Sequence, residues 1–322
     1  MAAVSATDPH LVPLEGGFSG ETFLAEMAGE RTVVRIYAER GAWRGPAAVD
    51  IDAALLRLVR GLLPVPDVLE VRRTDSTAGT PAVLVTSFLP GTPLDRLLPQ
   101  ATDDLRRVIG HQLGALLARL AQIPTLRPGV FADADLTIGS LPAGAGSLPE
   151  WVEAYQDAPG FRDWSDADRK GLADVAEDAQ VLLDRFDRTC LVHSDFNAKN
   201  LLADPRTGDV TGVLDWEFAH SGTPVTDLGN LLRFERDPVF ADAVLATYAD
   251  LVPDAPPDLL DHARAADLFA LVDLAAGRGR NPVADRAHDL LLRIARTGAL
   301  HAVPAGGPPP GSSHGRTEAA EA

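Results

Sequence analysis

An α+β fold, with strands gathered early in the chain and helices after them, follows from three observations. The first 88 residues hold short runs rich in β-branched side chains, broken by glycines. From about residue 103 onward, apolar residues recur at helical spacing. Between the later helices lies one stretch of short apolar strands, Cys190 to Leu214, edged with Asp and Asn.

Residues 1–9 read as a flexible N-terminus. Then 10–14, a turn over 15–20 and 21–27 read as strand, glycine turn, strand. Gly16, Gly17 and Gly20, with Ser19 among them, would let backbone N–H groups come close to phosphate oxygens. Gly29 and Glu30 turn the chain into a third strand, Arg31 to Tyr37. Ala47 to Leu62 reads as a helix on the spacing of Ile51, Leu55, Leu58, Val59 and Leu62, and it stops before Pro64 and Pro66. Strands are expected over Val65 to Val71 and Ala82 to Phe88.

Asp103 to Ile123 is a strongly amphipathic helix, with Leu105, Val108, Ile109, Leu113, Leu116, Leu117 and Leu120 on one side. Residues 127–149, rich in Gly, Pro, Ala and Asp, read as a long irregular loop. Trp151 restarts a helix, and a further helix runs from Asp166 to Phe186 with Ser165 and Asp168 at its cap. Helices follow over 238–251, 257–276 and 282–298. The tail, 303–322, is too rich in Gly, Pro and Ser to pack and is expected to be disordered.

Composition excludes several classes. The 322 residues are 46% apolar, enough for sizeable cores, yet no charge-free apolar stretch is long enough for a membrane span. The start lacks the basic and apolar regions of a signal peptide. One cysteine, Cys190, excludes an internal disulfide and fits a reducing cytoplasm. Net charge is −17, with 29 basic against 46 acidic side chains, which argues against nucleic acid and favours a cationic ligand. No protein partner is implied.

The chemistry concentrates in Leu191-Val-His-Ser-Asp-Phe-Asn-Ala-Lys-Asn-Leu-Leu202 and Val213-Leu-Asp-Trp-Glu217. Asp195 and Asn200 stand on a loop after a strand start. Pro205 to Asp209 reads as a hairpin turn that returns the chain, so Asn200 and Asp215 can face one small space. One carboxylate and one amide oxygen are hard ligands that suit Mg²⁺, completed by phosphate and water. Asp195 is left to orient an attacking hydroxyl. A loop Asp, an Asn metal ligand and a second metal-binding Asp form the layout of kinase phosphoryl transfer.

These two segments resemble the aminoglycoside phosphotransferase and choline kinase family, small-molecule kinases with a protein-kinase-like fold. The resemblance implies a nucleotide-binding N-lobe with an antiparallel sheet over 10–88 and a larger, mostly helical C-lobe over 89–302, which carries catalysis and substrate binding. It implies ATP or GTP with Mg²⁺ as cofactors, Asp195 as the catalytic residue, and Asn200 and Asp215 as metal ligands. Gly17, Ser19 and Gly20 would cover the phosphates. Arg35 stands where the family's third strand has a phosphate-holding Lys, and Asp52 where the next helix has its Glu partner, so the Lys–Glu pair would have become Arg35–Asp52. Thr86 to Phe88 would meet the base, with Leu202 and Leu214 along it. His193 would brace the loop, and Asp227 would hold its backbone.

Substrate contacts are expected from Asp157, Asp163 and Glu217. Six aspartates between Arg236 and Arg264, with no Lys or Arg among them, favour a small cationic substrate. The expected activity is phosphorylation of a hydroxyl on an antibiotic, an aminoglycoside or a tuberactinomycin-type peptide, giving resistance. The alternatives are a metabolite kinase acting on choline, homoserine or a sugar, and an inactive nucleotide-binding scaffold. A protein kinase is disfavoured: Trp216 and Glu217 replace the Phe-Gly that would follow Asp215, and no long activation loop precedes Asp227.

Overall fold

The structure is a computed structural model and describes residues 10–14, 21–27, 29–37, 44–75, 77 and 79–303. Early strands come first: β1 (His10–Pro13), β2 (Glu21–Met27) and β3 (Glu30–Tyr37). Helix α1 (Ala48–Val59) follows, then β4 (Val68–Arg72) and β5 (Ala82–Ser87). The five strands pair antiparallel in the order β1-β2-β3-β5-β4. Strand β3 is paired on both sides, so Arg35 faces Thr22 on one neighbour and Leu84 on the other. That double pairing gives a long, mobile side chain a rigid base.

The chain then forms β6 (Thr92–Pro93), the single-turn α2 (Leu94–Leu97), α3 (Asp103–Ala121), β7 (Pro124–Thr125) and β8 (Gly129–Val130). Next come α4 (Leu148–Tyr155), α5 (Asp166–Leu183), β9 (Thr189–Val192), β10 (Leu201–Ala203), β11 (Val210–Val213) and β12 (His220–Gly222). Helices α6 (Thr226–Leu232), α7 (Pro238–Leu251), α8 (Leu259–Ala276) and α9 (Pro282–Thr297) complete the described chain. Two small antiparallel sheets, β11-β10-β6 and β7-β9-β12-β8, hold the segments that bear the loop Asp and Asn. No helix among the described residues is long and apolar enough to cross a membrane.

The chain divides into two compact units, residues 1–142 with 183–266 and residues 143–182 with 267–322. In the first, α3 packs against α7 at close range because of two glycines. A Cβ on Gly110 would lie 2.8 Å from the Phe240 carbonyl oxygen, and one on Gly114 would lie 2.5 Å from that of Val244. Thr102 caps α3 by accepting from the Leu105 N–H, as Asp237 caps α7 through Phe240. His111 is exposed, and its Nδ1 lies 2.7 Å from the Thr247 hydroxyl on α7.

In the second unit, Trp164 donates to His288 at 2.8 Å and stands edge-on to Phe161. Ser165 and Asp168 exchange hydrogen bonds at the start of α5 in a capping-box arrangement, and Arg296 bonds the same Asp168 carboxylate. Helix α4 starts at Leu148, capped by Ser147, three residues ahead of the expected Trp151. The expected 127–149 loop holds β8 and a bridge between Phe131 and Ile138, pairings that local sequence does not announce.

Candidate active site

Strand β9 leads into the loop, and Asp227 fixes the loop's first turn. Asp227 stands in the first turn of α6, 3% exposed, and its two oxygens accept from the His193 N–H at 2.8 Å and the Ser194 N–H at 2.7 Å. Those bonds hold Ser194 at φ 65, in the left-handed region. Burial pushes the Asp227 carboxyl up to about 7, against the pull of the two backbone donors. His193 is fully buried and its Nε2 meets the Leu214 carbonyl at 2.9 Å. Its ring lies edge-on to Trp216 and Phe196, and burial pulls its pKa down to about 4. The imidazole is therefore neutral near pH 7 and joins the loop to the β11 side of the hairpin.

Both oxygens of Asp195 are held by amides. Asn197 donates to Oδ1 and Asn200 to Oδ2, each at 2.7 Å. Burial first, and then the charge of Asp215, push the Asp195 carboxyl up to about 6, while Asn200, Arg233 and Lys199 pull the other way. Asn197 also accepts from the Lys199 N–H, so one side chain orders the short turn and orients the acid. Sequence reasoning passed over Asn197. Its signal was present, an Asn two residues after an Asp at the mouth of a short helical turn.

The hairpin forms as expected. Strands β10 and β11 pair antiparallel, and the Leu214 N–H reaches back to the Asn200 carbonyl at 2.8 Å. Asp215 has left-handed backbone, φ 63 and ψ 67, and opens a short helical turn, Trp216–Phe218. The structure thus brings Asp195, Asn200 and Asp215 together.

Arg35 joins this group. Its Nη1 lies 2.9 Å from Asp215 Oδ1, and its Nη2 lies 2.5 Å from Glu217 Oε2. The expected Arg35–Asp52 pair does not form. Asp52 is 3% exposed, and Arg44 grips both its oxygens, at 2.9 and 2.5 Å. Tyr37 adds a hydroxyl bond to Asp52 at 2.6 Å. The reason is reach: an aspartate on α1 is one methylene short of a glutamate, and a nearer guanidinium saturates it. Arg44 has no period or spacing to mark it in the sequence. Glu217, expected against substrate, is 6% exposed and its Oε2 is ion-paired with Arg35.

Along the expected base-binding edge, Thr86 is buried within the β3–β5–β4 pairing, and Arg31 lies over the Phe88 ring at 4.0 Å. Leu202 is buried in β10 and Leu214 is half-buried. Gly17, Ser19 and Gly20 lie outside the described residues. Asp157 is exposed, and Asp163 lies 3.8 Å from Arg278; both belong to the second compact unit. Among the aspartates expected to attract a cation, Asp237 is ion-paired with Arg106, Asp254 with Arg188, and Asp258 with Arg185.

Two oxygens remain for a hard cation. Asn200 spends its amide nitrogen on Asp195, which leaves Oδ1, and Asp215 Oδ2 bonds no described residue. Burial and the charge of Asp215 act on Arg35 in opposite senses, and the net effect raises its pKa, so it is permanently cationic.

An antiparallel sheet feeding an Asp–Asn loop and an Asp hairpin defines an α+β fold of the protein-kinase-like type. The sequence model of the phosphotransferase enzyme family matches residues 10–262, and the chain belongs to that family. The fold is similar to that of aminoglycoside phosphotransferase APH(4)-Ia (TM-score 0.63, 19% identity, 90% of this chain and 94% of the other). It is also similar to the GDP complex of aminoglycoside 2'-phosphotransferase-IIIa (TM-score 0.66, 17% identity, 91% and 94%). Identities this low speak for the fold alone. Among curated proteins, acyl-CoA dehydrogenase family member 10 of Mus musculus is 25% identical over 223 residues, 68% of this chain. Family member 11 of the mouse is 43% identical over 53 residues, 16% of this chain. The chain spans 20% and 7% of the lengths of these two relatives.

Proposed function

We propose that the protein is an ATP- or GTP-dependent O-phosphotransferase that uses Mg²⁺ and acts on a hydroxyl of a small molecule. The observation that carries this reading is the assembly of Asp195, Asn200, Asp215 and Arg35 in one cluster, tied by Asn200–Asp195 and Arg35–Asp215 contacts of 2.7 and 2.9 Å. Asn200 Oδ1 and Asp215 would hold Mg²⁺, which when bound neutralises and orients the nucleotide phosphates. Asp195, with both oxygens oriented by amides, accepts the proton of the substrate hydroxyl. The hydroxyl oxygen bonds to the γ-phosphorus as the bond to the nucleoside diphosphate breaks. A carboxyl at about 6 is ionised near neutrality yet basic enough to take that proton. Arg35 meets the phosphates from β3 with its charge fixed. Such catalysis is positioning and charge neutralisation.

For substrate, the first reading is a cationic antibiotic, an aminoglycoside or a tuberactinomycin-type peptide. Supporting it are the net charge of −17 and fold neighbours that include an APH(4)-Ia ternary complex with ADP and hygromycin B. A second reading, a metabolite hydroxyl, draws on two observations. The sequence aligns with an acyl-CoA dehydrogenase family member over 68% of the chain, and Asp254 and Asp258 are already neutralised by arginines.

Intact-mass analysis after incubation with Mg-ATP separates these readings. The panel holds aminoglycosides, tuberactinomycin peptides, choline, homoserine and hydroxyacyl thioesters, with Asp195→Asn as control. One added phosphate on a single class, lost in the variant, names the substrate. Transfer that survives Asp195→Asn at the wild-type rate sinks the assignment of Asp195.

A further inference from the structure

We propose that Glu217 is the residue that positions Arg35 for the nucleotide phosphates, in place of an acid on helix α1. The inference rests on the phosphotransferase reading and adds a positioning residue to its site. Three observations support it. Arg35 reaches two carboxylates on one short turn, Asp215 through Nη1 and Glu217 through Nη2. The Glu217 side chain is 5% exposed, so its charge needs a buried cation, and Arg35 supplies one at 2.5 Å. The α1 acid that a Lys–Glu scheme would use is occupied, since Arg44 and Tyr37 engage both oxygens of Asp52.

The geometry divides the labour between the two carboxylates. Asp215 also offers an oxygen to a cation, so its contact with Arg35 is the one that phosphate oxygens exchange with. Glu217 is the lasting partner, keeping Nη2 while Nη1 turns to the nucleotide. The Tyr37 ring, 5.4 Å from the Arg35 guanidinium carbon, gives the fork a face to rest against. Asp52 makes no hydrogen bond to Arg35; it reaches it through its charge and through Tyr37, whose hydroxyl it holds. The cation that meets the phosphates and the carboxylate that meets the metal are thereby fixed by one turn, Asp215 to Phe218.

Isothermal titration with Mg-ATP tests this without a known substrate, on wild type, Glu217→Gln, Arg35→Ala and the double variant, each with its melting curve. A charge-assisted contact of this kind corresponds to about a tenfold loss of affinity in Glu217→Gln. In the Arg35→Ala background the same change should cost less than about twofold, because its target is gone. Glu217→Asp keeps the charge, shortens the reach and should lose about threefold; it serves if the amide variant does not fold. Independent losses in the double variant overturn the inference, as does a Glu217→Gln defect that disappears when free Mg²⁺ is raised, which would make Glu217 a metal ligand. A wild type that binds no Mg-ATP overturns the phosphotransferase reading and this inference with it. Binding that is normal in both wild type and Glu217→Gln overturns this inference alone.

Discussion

Asp227 makes no contact with the reacting groups, yet the loop depends on it, and Asp227→Asn measures how much. The wild-type carboxylate accepts two backbone N–H groups, at 2.8 and 2.7 Å, in a site 3% exposed. An amide keeps one acceptor oxygen and turns an NH₂ against the other donor. One charge-assisted bond is lost, about 1.5–3 kcal/mol, and one buried N–H is left unpaired, a further 1–3 kcal/mol or so. Removing a buried charge offsets part of this, since burial already raises the Asp227 pKa. The net expectation is about 2 kcal/mol of destabilisation in urea denaturation at pH 8, where the wild-type carboxylate is ionised. Without its anchor Ser194 relaxes from φ 65, and Asp195 follows in the next position. A displacement of about 1 Å at a reacting group costs on the order of 10²-fold in rate. An unchanged urea midpoint together with an unchanged kcat would refute the claim that Asp227 sets the loop.

Three further outcomes are expected. The Asp195 carboxyl is raised to about 6 and works as the carboxylate, so kcat/KM should fall about tenfold per pH unit below 6 and level off above it; an acid limb near 4, where an ordinary Asp titrates, would show that burial does not shape its titration. Arg44→Met removes the guanidinium that bonds buried Asp52, leaving the Tyr37 hydroxyl as its side-chain hydrogen bond among the described residues and Arg35 as the nearby charge, and should cost about 3 kcal/mol in chemical denaturation. Gly114→Ala places a Cβ 2.5 Å from the Val244 carbonyl oxygen and should lower stability by about 1–3 kcal/mol through the α3–α7 contact, as a shifted denaturation midpoint would show.

What the sequence made legible was local or periodic. Helix α3 could be read because its apolar residues follow its turn: Ile109, Leu113, Leu116, Leu117 and Leu120 are buried, whereas Leu105 is half-buried and Val108, expected on the same side, is exposed. The grouping of Asn200 with Asp215 could be read because a short hairpin leaves the ends of its strands little freedom. Strands β6, β7, β8 and β12 are two or three residues long and exist only through partners far along the chain, so no local pattern marks them. The partner of Arg35 was misassigned for the same reason. Counting along α1 finds Asp52, but Arg44 decides where that carboxylate goes, and its approach depends on three-dimensional placement. Nothing in the sequence marks residues 143–182 and the chain from 267 onward as one unit, since contacts between distant helices leave no local trace.

The left-handed backbone at Ser194 and Asp215 narrows the ways this site can decay over time. At φ 63 an alanine or a β-branched residue would add roughly 1 kcal/mol or more of strain, whereas Asn, Asp and Gly fit. An alanine scan at Asp215 therefore mixes two losses, and Asp215→Asn is the substitution that isolates the charge. The same constraint is a marker for sequence surveys. A descendant that abandons the chemistry but keeps the turn would carry Asn or Gly at 215, because those residues preserve the shape after the carboxylate is gone.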